Sequence, residues 1–144
     1  MWKLKTFAEL TTSELFAIYQ ARVAVFVVEQ NCPYQEVDSL DLEALHFFKE
    51  KSGSIKAYCR LIPTKGTVKL GRVLTAEDCR HQGLGRELVL QVLRFCRDKF
   101  PKLPIYIQAQ SYLKDFYNSF GFQPISSQYL EDGISHIDML LKGN

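Results

Sequence analysis

Residues 80 to 86 read RHQGLGR, which sets two glycines among Arg80, His81, Gln82, Leu84 and Arg86. Bare backbone beside positive charge, at the mouth of a helix, suits a phosphate. A helix start exposes unpaired N–H groups and a partial positive charge, and glycine lets an anion approach the main chain. A lone G-x-G is usually a tight turn. Here the pair lies between a strand ending near Thr75 and a helix starting at Gly83, and the basic neighbours favour phosphate. A Walker A loop would need G-x-x-x-x-G-K-[ST], which is absent. A dinucleotide fingerprint would need a small residue at Leu88 and an acid closing the next strand, where the chain has IYIQAQ.

Other residues capable of chemistry are scattered. Glu29, Glu36, Asp38, Asp41 and Glu43 share one stretch without Lys or Arg, in a chain of net charge +2. Such a stretch is either a solvated loop or a negative rim that concentrates cationic ligands. Arg60 and Arg72 fall on adjacent strands and either bind a substrate carboxylate or pair with those acids. Tyr117 belongs to a face of Leu113, Phe116, Tyr117 and Phe120 that would be core in any helix. Cys32, Cys59, Cys79 and Cys96 show no C-x-x-C spacing, and the three histidines do not cluster. No disulfide frame or metal site is expected.

The elements that must carry these residues follow from pattern. Trp2 to Phe7 alternates as a strand. Thr11, Thr12 and Ser13 offer N-caps to a helix with Leu15, Ile18, Tyr19 and Phe26 at helical spacing and Arg22 as the polar exception. The acidic stretch is a loop. Ala44 to Glu50, Ser54 to Thr64 and Thr67 to Ala76 form three hairpin-linked strands. Gly83 to Phe100 is the clearest helix, with Leu84, Leu88, Val92 and Phe95/Cys96 in one stripe. A strand over IYIQAQ, a helix from Ser111 to Phe120 stopped by Gly121, and a closing hairpin about Glu131 to Gly133 complete the order β-α-β-β-β-α-β-α-β-β. That order predicts a mixed α/β layer fold around one sheet.

A chain of 144 residues with 47% hydrophobic and 24% charged residues suits one globular domain over 1–144. Its longest apolar run, Ala21 to Val28 interrupted by Arg22, is too short to span a bilayer. No signal peptide is legible, so the expected compartment is the cytoplasm, without membrane attachment. Basic residues are dispersed rather than gathered into a stripe, which disfavours nucleic acid as a partner. A homodimer stays open.

Taken in order, these motifs resemble the GNAT superfamily of acetyl-CoA-dependent N-acetyltransferases. RHQGLG matches the family's loop [QR]-x-x-G-x-[GA]. QSYLKDFYNSFGF aligns with N-x-x-A-x-x-x-Y-x-x-x-G-F through Tyr117, Gly121 and Phe122, while Gln110 and Leu113 replace Asn and Ala. RVAVFVVEQNCPYQEVDSLD is similar to the ElaA-like branch. The resemblance implies a mostly antiparallel sheet with a splay between the fourth and fifth strands, flanked by helices. It implies acetyl-CoA as co-substrate, with its diphosphate on Arg80, His81, Gln82, Gly83, Leu84, Gly85 and Arg86. The pantetheine would pair with the backbone of Val73, Leu74 and Thr75 beside a bulge near Gly71 and Arg72, with Gln110 nearby. Tyr117 is the implied general acid, and a small-molecule or peptide amine the implied acceptor. For the acceptor and its general base, the candidates are Glu29, Asp38, His46, Arg72 and His136. A non-catalytic acyl-CoA sensor would share the cofactor residues and lack turnover.

Overall fold

In a computed structural model that describes residues 1–143, eight strands form one sheet. They are β1 (Trp2–Thr6), β2 (Leu45–Lys51), β3 (Ser54–Pro63), β4 (Val68–Thr75), β5 (Ile105–Gln110), β6 (Gln123–Pro124), β7 (Tyr129–Glu131) and β8 (Ile134–Leu141). Their spatial order is β1-β2-β3-β4-β5-β8-β6, with β7 also paired to β8. Every neighbouring pair is antiparallel except β4 and β5. This is the mostly antiparallel, helix-flanked sheet that the resemblance implies.

The helices α1 (Thr12–Arg22), α2 (Leu84–Lys99) and α3 (Lys114–Asn118) pack on this sheet. The central strand β3 is buried along most of its length, so its alternate side chains feed two cores. Ala57, Cys59 and Leu61 join Leu88, Val89, Val92 and Leu93 of α2 on one side. Tyr58 joins Phe48, Leu74 and Ala17 and Ile18 of α1 on the other. The expected α2 stripe is the buried one, although Val89 and Leu93 widen it. Among the described residues no helix is long and apolar enough to cross a membrane.

Thr11 caps α1 in a capping box with Glu14, each side chain serving the other's N–H. Burial alone would raise the Glu14 carboxyl. Hydrogen bonds from Lys5, the Thr11 N–H and Lys3 outweigh it and bring the group down to about 2.

Three elements depart from the pattern reading. The α-helix stops at Arg22, and Val23–Glu29 continues as a π-helix. Val23, Val25, Val27 and Val28 are β-branched and hold the α form poorly, and π turns concentrate at functional sites. Ser111 does not cap a long helix. Ser111–Leu113 is a 3-10 turn, the Ser111 hydroxyl pairs with that of Ser135 at 2.7 Å, and α3 is only five residues. The closing segment divides into β6 and β7, both held by β8.

The decisive feature for a site is where β4 leaves β5. They pair only from Val68–Ile105 to Leu70–Ile107, while Gln108 to Gln110 pair with β8 alone. Opposite Cys59, the β3–β4 register slips from Tyr58↔Leu74 to Arg60↔Gly71, one extra residue in β4. That is the bulge expected near Gly71. The left-handed residue within it is Arg72, at φ 50°, and the added twist turns β4 away from β5.

Candidate active site

The splay opens into a cleft of about 840 Å³. Val73, Leu74 and Thr75 line one wall, and Gln108, Ala109 and Gln110 the other. Its mouth is the loop before α2. Cys79 closes a short 3-10 turn, and His81 (φ 64°) and Gly83 (φ 80°) then take left-handed conformations. A left-handed N-cap without a side-chain cap leaves the first N–H groups of α2 facing outward. A Cβ placed on Gly83 would meet nothing within 4 Å, so the residue is demanded by its backbone angle and the space above it is open. Such successive turned N–H groups form an anion-binding concavity. Arg80, His81, Leu84, Gly85 and Arg86 line the same mouth.

Two loop residues behave differently from expectation. Gln82 does not line the cleft; its amide reaches back to the Asp78 carbonyl at 3.5 Å. Arg86, in the first turn of α2, lies 4.8 Å over the Phe120 ring and 3.3 Å from the Ser119 hydroxyl, just past α3. Arg80 pairs with Glu29 through both guanidinium nitrogens, at 2.5 and 2.9 Å. That hydrogen bond holds the Glu29 carboxyl below its usual range.

Tyr117 lines the cleft from α3 and is 4% exposed. Phe116 and Phe122 meet its ring edge-on, at 5.1 and 5.8 Å. Burial pushes its phenol well above the ordinary value, so it keeps its proton at neutral pH. Core packing and cleft lining are thus properties of one residue.

The acceptor candidates separate. His136 lines the cleft beside Gln110, its register partner across β5 and β8. Its Nδ1–H donates to the Ile134 carbonyl at 2.7 Å, so Nε2 is the ring nitrogen not engaged by that bond. His46 is fully buried outside the cleft, bonded to the Tyr58 hydroxyl at 2.7 Å and the Asp41 carbonyl at 2.9 Å. Burial lowers its pKa. His46 is therefore a core histidine and not an acceptor contact, because no ligand in the cleft can reach it.

The acidic stretch is no free rim either. Arg22, fully buried between the Tyr19 and Tyr58 rings, binds Glu36 through Nε at 2.9 Å and Asp41 through Nη1 at 2.7 Å. Arg60 binds Asp38 at 2.7 Å and Asp41 at 2.9 Å. Arg72 donates to the Glu36 carbonyl at 2.8 Å, and its Nε lies 2.7 Å from Glu36 Oε2 but out of line for a hydrogen bond. Three guanidinium groups thus balance three carboxylates. Hydrogen bonds from Arg60 hold Asp38 low against burial. Burial would raise Asp41, but Arg22 and Arg60 outweigh it. Asp38 and Arg72 do line the cleft, as parts of this network.

Several lining residues that pattern reading missed come from the π-helix and the loop after it. Val25, Phe26, Gln30 and Tyr34 line the cleft opposite β4. Their only signal was the run of valines that breaks the α-helix.

Several known proteins share this arrangement. The family model for the acetyltransferase (GNAT) domain matches residues 13–142. The ElaA protein of Escherichia coli K12 is 41% identical over 96% of this chain and 94% of its own length. The crystal structure of Escherichia coli ElaA superposes with a TM-score of 0.94 at 40% identity, covering 99% of each chain. An acyl-CoA N-acyltransferase structure from Pseudomonas aeruginosa superposes at 0.93 with 40% identity, over 98% of this chain and 99% of that one.

Proposed function

The chain belongs to the GNAT acetyltransferase family, and from that premise we propose that residues 1–144 form one domain that moves acetyl from acetyl-CoA to a primary amine. The observation that carries this reading is the splay of β4 from β5, which opens directly onto the left-handed loop at the start of α2. Residues and ligand chemistry fit along its length. Arg80 and the outward N–H groups of the loop would hold the diphosphate. The free edge of Val73 to Thr75 offers main-chain groups to the amides of the pantetheine arm, as a missing strand would. Gly85 carries no side chain where a Cβ would stand 3.7 Å from Thr75 Cγ2, which keeps that passage wide.

Acetyl-CoA supplies an activated thioester. His136 Nε2 accepts a proton from the protonated amine, directly or through water, so that nitrogen can attack. Tyr117 gives its proton to the departing thiolate. Direct attack is favoured over an acyl-cysteine. Cys59 and Cys96 are buried in the core and do not line the cleft, Cys32 directs its Sγ to the Asp132 carbonyl, and burial with Asp78 alongside raises the Cys79 thiol.

The test is thiol release from acetyl-CoA across a panel of primary amines, alongside binding of coenzyme A by calorimetry. Amine-dependent release is the expected result. Binding without release for any amine leaves a sensor, and absence of binding removes the reading.

A further inference from the structure

The ion pair between Glu29 and Arg80 crosses the mouth of the cleft and joins residues 51 positions apart. It is a two-point contact of a planar guanidinium with two carboxylate oxygens. The same fork accepts two oxygens of a phosphate equally well. Both partners line the cleft and keep part of their surface in water, 30% for Arg80 and 39% for Glu29. A pair so exposed holds weakly and exchanges readily, unlike the buried pairs of Arg22.

Glu29 is also the last residue of the π-helix and the first of a strap across the opening. Gln30 Oε1 accepts from Gln110 Nε2 at 3.1 Å, at the end of β5. Cys32 Sγ reaches the Asp132 carbonyl at 3.4 Å, in the β7–β8 turn. Three residues within four positions thus bond to three different walls: the phosphate loop, the end of β5 and the closing hairpin.

We infer that Glu29 occupies on Arg80 the place of the diphosphate, so that coenzyme A binds by exchanging its own oxygens for this carboxylate. The inference rests on the function proposed above. It makes Glu29 a determinant of cofactor affinity rather than a base. The exchange costs the incoming ligand one ion pair and leaves a like charge beside it, so the native glutamate weakens binding. It also loosens the first anchor of the strap, while Gln30 and Cys32 keep theirs.

The experiment is calorimetric titration of the full chain with coenzyme A and, separately, with pantetheine, which lacks the diphosphate. Glu29→Gln and Glu29→Ala are expected to tighten coenzyme A by about 3–10-fold, the scale of a part-exposed ion pair plus a removed repulsion. Pantetheine affinity stays unchanged in both. In the Arg80→Ala background, Glu29→Gln loses most of its effect on coenzyme A. Added salt narrows the difference between Glu29→Gln and the native chain. Coenzyme A affinity unchanged or weakened in both Glu29 variants, with melting temperature preserved, would overturn the exchange and leave the proposed function standing. Tightening of pantetheine to the same extent also overturns it, because the effect would then be one of shape and not of the diphosphate. Failure of the native chain to bind coenzyme A removes both readings.

Discussion

The two ends of the cleft hold charge in opposite ways. At the α2 end, where the diphosphate is proposed to bind, one part-exposed ion pair sits beside outward-facing main-chain N–H groups. At the other end, Arg22, Arg60 and Arg72 are locked to Glu36, Asp38 and Asp41, with Arg22 and Asp41 almost wholly buried. The first arrangement is open to a visiting anion. The second is internally neutral, and its work is to fix the Glu36 to Asp41 loop against β3 and β4. Under the proposed function, attraction of ligand and rigidity of wall fall to different ends.

The largest break of this contrast would come from the neutral end. Arg22→Ala leaves Glu36 and Asp41 buried without their partner and should cost about 3–5 kcal/mol of stability. Urea unfolding monitored by fluorescence measures it, and a loss under 1 kcal/mol would mean the network is not structural. Between the two ends stands Tyr117. Tyr117→Phe keeps the ring that packs on Phe116 and Phe122, so the unfolding midpoint should hold while turnover falls by about 10²–10⁴-fold. Equal turnover would return Tyr117 to the core alone.

At the phosphate end, affinity should change without stability. Arg80→Ala is expected to weaken coenzyme A by about 1–3 kcal/mol. The lower part of that range is favoured, since Arg80 gives up Glu29 on binding. Gly83→Asp and Gly83→Asn sharpen the point, because Asn and Asp both tolerate the left-handed angle and a Cβ at this position meets nothing within 4 Å. Loss of coenzyme A binding in the Asp variant alone would identify charge as the cause. Equal loss in both would blame the backbone.

The smallest effect concerns acid. Glu14, Asp38 and Asp41 all have carboxyls held below their usual values in the folded chain. A depressed folded pKa gives stability that is complete above the unfolded value near 4 and is lost as pH falls through the folded one. These carboxyls should therefore hold stability level down to about pH 5 and lose it between pH 4 and about 2, while His46, kept neutral by burial, takes stability away gradually as pH falls below about 6.5, where the unfolded imidazole gains a proton. Glu14→Gln should flatten part of the decline below pH 4, and a Glu14→Gln curve identical to the native one there would assign that decline to the other carboxyls.

The glycine loop before α2 was legible because it is local. Seven consecutive residues set its backbone angles, its charge and its place before α2, and no distant residue is needed to build it. The α2 stripe and the alternating strands were readable for the same reason. His46 and Tyr117 were not separable by pattern. Each is an apolar-face residue on a regular element, and only the packing of Tyr58 and Asp41 around one, and of the cleft beside the other, tells them apart.

By itself the sequence determined the order of elements as far as α3, the glycine pair before α2, the family motifs and the excess of acid from Glu29 to Glu43. The tertiary structure alone decided what those acids do. Their partners Arg22, Arg60, Arg72 and Arg80 lie 14 to 51 positions away in the chain. A charge pattern read along the chain sees density. Pairing depends on distance and desolvation, and those exist only once α1, β3, β4 and the loop before α2 have brought Arg22, Arg60, Arg72 and Arg80 to these acids.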